Sequence, residues 1–434
     1  MDKVRGRLCA SPAWALAMLT AISTCGFIDR VIMQVLVQPI KIEFGLSDLE
    51  IGAVGGLAFA VLYGLLSLPI ARLAERRPRI PLIALGTVLW SIATMLCGAV
   101  GSFFQLFLAR VGVGVGEAVG LPASTSTLSD YFPPDRRTSA MAVFFLAPPL
   151  GAFIGSAGGA SIAELYGWRW SFLAAALPGL LLGLMLYLTV PEPRRGGHDS
   201  TADDEHVPTL MTVLVRLWRR PSLRHILIGS TLASMVGFGV NAFLAAYLSR
   251  RFGFGLAAAG VTAGMIASVP ASLSVFGGGR LADYFGRKNA RYYALLPALA
   301  LFITAPLYML AMAQTEAAMA IALLATVALV QYVYLAPSAG VIQNMMHPRM
   351  RASASALTGL AYALLGTGLG PLLIGGLSDH FSVGADPSGS GQGLAMAMGA
   401  GALIYLWAGV HYWLASRSIA ADFQRPLDAR ADFS

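Results

Sequence analysis

Charged side chains are scarce in this chain, and their scarcity argues against a water-soluble fold. Only 12% of its 434 residues are Asp, Glu, Lys or Arg, whereas 56% are hydrophobic. An average soluble domain carries roughly 25% charged residues. Because so few polar groups cannot cover a globular surface, the sequence predicts a protein that lies in lipid.

Cysteine and histidine are also rare, and neither forms a pattern typical of catalysis. The three cysteines Cys9, Cys25 and Cys97 have no metal or redox spacing, and the six histidines form no cluster. No Ser-His-Asp, metal-binding or phosphate-loop pattern appears. We therefore predict no enzyme activity, no metal site and no cofactor other than protons as coupling ions.

Long apolar segments are abundant, and each meets the roughly 20 residues that a spanning helix needs. Backbone groups in lipid must be paired internally, so these segments are predicted to be helices. The sequence thus indicates an all-α membrane protein with twelve transmembrane helices. The segments are 12–38, 50–74, 80–100, 103–128, 139–164, 169–190, 222–249, 256–282, 290–312, 317–345, 352–378 and 393–416.

The net charge of +8 raises the alternative of a nucleic-acid partner, but the distribution of the basic residues indicates membrane topology. With a cytoplasmic N-terminus, 24 of the 30 Lys and Arg residues fall on the inner side. Four fall outside and two, Arg30 and Arg110, lie within helices. This asymmetry follows the positive-inside rule and predicts that both termini are cytoplasmic, with no nucleic acid as partner.

The two halves of the chain resemble each other. Residues 192–220 are polar and predict a cytoplasmic linker between a six-helix bundle at 1–191 and a second at 221–434. Aligning Pro134 with Pro348 places Arg137 on Arg351, and both following helices are rich in glycine. Two pseudo-symmetric bundles predict a binding site at their interface.

One cytoplasmic loop carries a family motif. Gly279, Asp283, Gly286, Arg287 and Lys288 complete the pattern G-x-x-x-D-x-x-G-R-K. A degenerate copy follows the second helix as Ala71-Arg72-Leu73-Ala74-Glu75-Arg76-Arg77-Pro78-Arg79. The chain thereby resembles the major facilitator superfamily. The resemblance implies a cytoplasmic gate, with Asp283, Arg287 and Lys288 acting as a latch together with Glu75 and Arg76. A positive-inside anchor is the alternative for Lys288.

A finer resemblance lies in the first half. Phe27-Ile28-Asp29-Arg30, the segment Ala109–Ala118 and Ser129-Asp130-Tyr131-Phe132-Pro133-Pro134 are similar to the bacterial members of the Spinster branch. This resemblance implies a multi-pass protein of the bacterial inner membrane that works as a monomer. It also implies proton-linked transport, with lysolipid or sphingolipid-phosphate export in the animal members.

Four charged residues are predicted at membrane depth: Asp29, Arg30, Arg110 and Glu117. A charge at a helix centre costs from about 2.5 kcal/mol upward, so such residues are functional candidates. Arg110 and Glu117 are seven apart and share a helix face. The resemblance makes Asp29 the protonation site, Glu117 a second acid, and Arg30 and Arg110 charge partners or anion contacts. The alternative is a static ion-pair network.

The second half offers neutral polar residues as cavity-lining candidates. Asn241 lies in the seventh helix, and Gln331, Tyr332 and Tyr334 lie in the tenth. In the resembled fold these helices line the cavity. Such side chains contact the substrate in one reading and bond neighbouring helices in the other.

Together these features predict a secondary transporter that moves a small organic or amphiphilic anion, with lysolipid-like solutes included, by proton-coupled alternating access. Its partners are then the small molecule and membrane lipids. An importer of an organic acid or sugar acid is one alternative, and an efflux pump for drugs or metabolites is another. A channel is disfavoured by the repeat and the latch motif, and a receptor is a further, less favoured alternative.

Overall fold

Helices make up almost all of the structure, which is a computed structural model. It describes residues 11–133, 136, 140–141, 143–194, 209–346, 350–382 and 391–425, and these ranges contain no β-strand. Within them, eleven helical segments are long and apolar enough to cross a membrane. The prediction of an all-α membrane fold is therefore confirmed.

The chain divides into two compact units. Unit 1 comprises Met1–Asp204 with Leu244–Ala246 and Phe254–Gly264, and unit 2 comprises Glu205–Phe243, Tyr247–Gly253 and Met265–Ser434. The helices of the first part are α1 (Pro12–Val35), α2 (Val37–Phe44), α3 (Asp48–Gly52), a π-helical stretch (Ala53–Leu57), α4 (Ala58–Arg76), α5 (Arg79–Cys97), α6 (Phe103–Glu117), α7 (Gly120–Tyr131), α8 (Ala147–Tyr166) and α9 (Trp168–Thr189).

The second part continues the same helical pattern. Its elements are α10 (Leu210–Arg219), α11 (Pro221–Phe252), α12 (Leu256–Gly286), α13 (Tyr292–Met312), α14 (Ala317–Gln331), α15 (Leu335–Asn344), α16 (Arg351–Ala361), a π-helical stretch (Tyr362–Gly368), α17 (Leu369–Phe381), α18 (Gly391–Ala402) and α19 (Ile404–Gln424).

The eleven segments coincide with eleven of the twelve predicted helices. The remaining prediction, 139–164, corresponds to α8, which spans 20 residues and is rich in Gly, Ser and Ala. Several of its glycines lie against neighbouring helices. These small residues lower its apolarity while leaving its length sufficient for a span of about 30 Å.

Two details go beyond the predicted boundaries. Within the predicted linker 192–220, Leu210–Arg219 forms the helix α10, because its apolar residues recur with helical spacing. The last helix was expected to end at residue 416, but α19 continues to Gln424. Its end is held by Asp422, which is buried and accepts hydrogen bonds from the amide and hydroxyl of Ser222 at 2.9 and 2.6 Å.

Glycine contacts fix the positions of the helices that carry the buried charges. A Cβ on Gly114 of α6 would collide with the carbonyl oxygen of Phe59. A Cβ on Gly116 would lie 2.6 Å from the amide nitrogen of Trp90. Small residues thus let α6 approach α4 and α5 at backbone distance, as expected for helices packed in lipid.

Glycines also let α1 pack closely against α8. Gly155 of α8 lies against the backbone of Ile28, where a Cβ would be 3.1 Å away, and Gly151 lies against Phe27. Glycine at these two positions therefore serves close packing of helices. Gly158 differs, since a Cβ there would meet nothing within 4 Å.

Candidate functional site

The charged residues predicted at membrane depth converge inside unit 1. Asp29, Arg110 and Glu117 are 1, 1 and 3% exposed, and Arg30 lies beside them on α1. Arg110 and Glu117 both point inward from α6, as their seven-residue spacing predicts. Since a lone buried charge is costly, the way in which these four residues pair defines the site.

Arg30 and Glu117 form the ion pair of the site. The Nε atom of Arg30 donates to Oε2 of Glu117 at 2.6 Å, with side-chain exposures of 27 and 2%. The guanidinium also lies over three aromatic rings, with its carbon 5.0, 4.9 and 4.7 Å from the ring centres of Phe27, Phe59 and Tyr63. Arg30 is therefore held by a carboxylate and an aromatic cage, both of which favour a cation.

Asp29 has a different environment. Its Oδ2 atom accepts a hydrogen bond from the Thr94 hydroxyl of α5 at 3.1 Å, and its Oδ1 atom has no partner in the described structure. Arg110 donates to the backbone carbonyl of Asp29 at 3.4 Å rather than to its carboxylate. The expected pairing of α1 with α6 thus occurs through Arg30 and Glu117, because adjacent helix residues point about 100° apart and only Arg30 faces Glu117.

A cavity of about 120 Å³ opens beside the ion pair. Arg30 and Glu117 line it together with Tyr63, Trp90 and Phe144. At about 30 Å³ per water molecule, it has room for about four waters or one small anionic group. Asp29 and Arg110 are buried and do not line this cavity.

Two polar atoms of the lining residues lack partners in the described structure. These are Oε1 of Glu117 and the indole Nε1 of Trp90, and both side chains are almost fully buried. A buried polar group is normally hydrogen-bonded, because leaving it unpaired costs about 1–3 kcal/mol. One acceptor and one donor of the lining residues are therefore left without a hydrogen bond among the described residues.

The neutral candidates in unit 2 lie in a network of tyrosines. Gln331 is 3% exposed, and its Oε1 atom accepts hydrogen bonds from Tyr308 and Tyr405 at 3.0 and 3.1 Å. Asn241 donates to the Tyr332 hydroxyl at 2.8 Å. Gln331 therefore bonds neighbouring helices, which is the second of its two readings.

Tyr334 belongs to the same buried region. It is 2% exposed, and its ring lies 6.2 Å from that of Tyr412. The Tyr412 hydroxyl is 2.5 Å from that of Ser338, one turn beyond Tyr334. Tyr334 thus packs within unit 2. Asn241 and Tyr332 are half-buried, and of the four they alone keep partial exposure.

The residues of the predicted gate lie at the end of α12. Asp283, Arg287 and Lys288 are exposed, and Lys288 lies over the Tyr284 ring with its ammonium 4.6 Å from the ring centre. Gly286 packs against the Tyr293 ring, which explains the need for glycine there. Arg76 is exposed at the end of α4, and the side chain of Glu75 lies outside the described structure. The latch stays a prediction.

One charged cluster was missed by sequence reasoning. Arg79 begins α5, is 2% exposed and binds Asp130 at 2.5 Å and Glu192 at 2.9 Å. Its neighbour Ile80 donates its amide to Glu192 at 2.8 Å. These residues stood in separate segments of the sequence, and only folding brings them together. The cluster ties the ends of α5, α7 and α9.

Comparison with known proteins identifies the family. The major facilitator superfamily model matches residues 18–371. An "MFS-type efflux pump" of Mycolicibacterium smegmatis is 31% identical over 411 residues, which is 94% of this chain and 94% of that protein. "Protein spinster homolog 1" of Xenopus tropicalis is 27% identical over 395 residues, covering 86% of this chain and 74% of that protein.

A solved structure agrees with these relatives along nearly the whole chain. It is the inward-facing, unoccupied form of a bacterial homologue of the human lysosomal transporter Spinster, with a TM-score of 0.88 and 29% identity. The match covers 95% of this chain and 98% of that chain. The chain therefore belongs to the major facilitator superfamily, resembles its bacterial Spinster-like branch, and is a multi-pass membrane transporter rather than an enzyme.

Proposed function

We propose that this chain couples proton movement to the transport of an amphiphilic organic anion by alternating access, with lysolipid-like molecules as the first substrate class to test. It acts as a monomer in a bacterial inner membrane with both termini in the cytoplasm. The observation that carries the proposal is the Arg30–Glu117 pair at the rim of an aromatic-lined cavity. The efflux-pump relative supports export as the direction.

Arg30 supports an anionic head group. Arg30 lines the cavity, and its guanidinium already binds the Glu117 carboxylate at 2.6 Å. A guanidinium in this place can therefore also bind the anionic group of a substrate. An incoming phosphate or carboxylate competes with Glu117 for the guanidinium. Phe27, Tyr63 and Phe144 suit the apolar part next to the head group, and the small cavity volume leaves the remaining chain outside it.

Asp29 is the residue to which we assign proton coupling. Its carboxyl group is 1% exposed and forms no ion pair in the described structure, so its charged form is supported there only by the hydrogen bond from Thr94. A conformational change that brings water or Arg110 to this carboxylate would let it release its proton. Glu117 is the second acid, because displacement of Arg30 by substrate would leave its carboxylate unpaired.

Import of a sugar acid is the alternative, and one relative favours it. The "Probable L-galactonate transporter" of Escherichia coli is 31% identical over 175 residues, which is 40% of this chain and 38% of that protein. A sugar acid would use Arg30 for its carboxylate, while its hydroxyl groups would need polar partners. The aromatic lining of the cavity favours the amphiphile over such a solute.

Binding and transport by the purified chain in proteoliposomes separate these alternatives. Radiolabelled lysophosphatidylglycerol and galactonate are offered under the same imposed pH gradient. We expect lysolipid to move and galactonate to be excluded. Movement of galactonate without any lysolipid transport would replace the first proposal by the second.

The proton assignment is tested with Asp29→Asn. We expect gradient-driven transport to be abolished while substrate binding persists, because the amide cannot exchange a proton. Glu316→Gln, an acid exposed in a loop before α14, is the matched control for loss of one negative charge. Undiminished gradient-driven transport by Asp29→Asn would refute the assignment, and equal loss in the control would show that the effect is not specific to the site.

A further inference from the structure

Aromatic rings topped by cations recur at one end of unit 2. In each case a guanidinium or ammonium lies over a ring that is itself exposed at 37–64%. The pairs are Arg224 over Trp218 at 6.0 Å, Arg280 over Phe276 at 4.9 Å, Lys288 over Tyr284 at 4.6 Å and Arg417 over Trp413 at 3.7 Å. We name these eight residues the aromatic–cation rim.

The rim lies at the helix ends that the charge distribution predicts to be cytoplasmic. Its members stand near the start of α11, near the end of α12 and towards the end of α19. Exposed rings at the ends of membrane helices meet the region of the lipid head groups, where aromatic side chains are enriched. Lys and Arg side chains at the same depth extend towards the lipid phosphates.

The helix α10 extends this surface. Met211, Leu214 and Trp218 are 64, 44 and 55% exposed, while the neighbouring Val213 and Leu217 are fully buried. These residues repeat with helical spacing, so α10 has one wide apolar surface, and only the part around Val213 and Leu217 packs on protein. It leads into the spanning helix α11 within two residues, which suits a helix lying in the membrane interface.

The four cations have no acidic partner in the part of the chain that the structure describes. None of Arg224, Arg280, Lys288 or Arg417 forms a salt bridge there. Within the described residues each cation lies against a ring face and no carboxylate, which leaves it able to pair with an anion. Because exposed rings lie beside these cations, an anion that carries acyl chains fits this surface better than a small soluble anion does.

We propose that the aromatic–cation rim and the exposed face of α10 bind anionic phospholipids of the inner leaflet. The rings and the residues Met211 and Leu214 lie among the upper acyl chains, and the cations pair with lipid phosphates. A juxtamembrane basic residue contributes about 1 kcal/mol of attraction to an anionic leaflet, or about fivefold in affinity. Three such residues together give about a hundredfold.

The test measures thermal unfolding of the full chain in detergent micelles titrated with dioleoyl phosphatidylglycerol, dioleoyl phosphatidylcholine or glycerol 3-phosphate. The measured quantity is the phosphatidylglycerol concentration that gives half of the maximal stabilisation. We expect it to rise about a hundredfold in the triple variant Arg224→Gln, Arg280→Gln, Arg417→Gln. The control triple, Arg72→Gln, Arg77→Gln, Arg194→Gln, removes the same charge from exposed positions of unit 1 and should change it far less.

Three outcomes overturn the proposal. They are an equal loss of phosphatidylglycerol affinity in both triple variants, stabilisation of the wild type by phosphatidylcholine as strong as by phosphatidylglycerol, and stabilisation by glycerol 3-phosphate as strong as by phosphatidylglycerol. The last would indicate a site for soluble anions.

If the rim triple does not fold, brominated phosphatidylglycerol provides the second measurement. Its quenching of tryptophan fluorescence should fall in Trp218→Phe relative to wild type, and unchanged quenching would show that this ring does not contact lipid.

Discussion

Removing Arg30 and removing Glu117 should lower the free energy of unfolding by different amounts, although both break the same ion pair. Arg30→Gln leaves the Glu117 carboxylate, at 2% side-chain exposure, without its cation. Glu117→Gln leaves a guanidinium that is 27% exposed and still surrounded by three aromatic rings. The two variants break the same contact, so any difference between them reports the environment of the group left behind.

The magnitudes follow from these environments. Removing one partner of a buried ion pair costs about 3–5 kcal/mol, and we expect this range for Arg30→Gln because its orphaned group is the more buried one. Cation–π contacts contribute about 0.5–2 kcal/mol each, so Glu117→Gln should cost only about 1–2 kcal/mol. The double variant should cost less than Arg30→Gln alone, because two neutral amides can bond each other.

Reversible unfolding in mixed micelles provides the free energies of unfolding, measured at pH 5 and pH 8. The cost of Arg30→Gln should shrink at pH 5, since protonation neutralises the orphaned carboxylate. Arg291→Gln, exposed in the loop before α13, serves as the control for the loss of one positive charge. The reasoning is wrong if the two single variants cost the same, or if the double variant is less stable than Arg30→Gln.

Three further predictions concern other parts of the chain. Hydrogen bonds from Arg169 and from the indole of Trp168 lower the pKa of Glu43 from 4.5. Its contribution to stability is therefore complete above pH 4.5 and is lost as the pH falls through the lowered value, so Glu43→Gln should flatten the loss of unfolding free energy at acidic pH. Gly114→Ala should cost about 1–3 kcal/mol by overpacking, whereas Gly158→Ala should be neutral or stabilising by up to about 1 kcal/mol, as thermal melts of both would show. Gln331→Leu should cost about 1–3 kcal/mol by leaving two buried hydroxyls unpaired, and Gln331→Glu should recover part of the loss because it keeps an acceptor.

The helices were predictable because a hydrocarbon solvent requires long apolar runs, but their interruptions were not. The predicted helix 317–345 is broken between Gln331 and Leu335. The amide of Tyr332 donates to the Ser274 hydroxyl of another helix at 3.2 Å, which satisfies the backbone group that the break releases. Because Ser274 lies 58 residues away in sequence, no local pattern around Tyr332 predicts this hydrogen bond.

The candidate site was predictable only as a set of residues. Depth singled out the four charges, because lipid makes any unneeded charge costly. Their pairing depended on which of two neighbouring side chains on α1 faced α6. Thr94 gave no signal, since a threonine in a membrane helix commonly bonds its own backbone, and here it binds Asp29 instead.

The division of polar chemistry between the units narrows where coupling can reside. The buried network around Gln331 consists of tyrosine hydroxyls and an amide, and tyrosine ordinarily titrates near pH 10, so this network has no group that changes charge near neutral pH. Unit 1 instead brings together the buried carboxyl groups of Asp29 and Glu117, the buried guanidinium of Arg110 and the partly exposed guanidinium of Arg30. The proton coupling proposed above is therefore assigned to unit 1, and the Gln331 network is expected to stabilise unit 2 without changing its charge. Two variants compare the units. Gln331→Leu should lower the free energy of unfolding while the stimulation of transport by a pH gradient persists, and Asp29→Asn should abolish that stimulation while the protein stays folded. If folded Gln331→Leu also lost the stimulation by the gradient, proton coupling could not be assigned to the buried carboxylates of unit 1 alone.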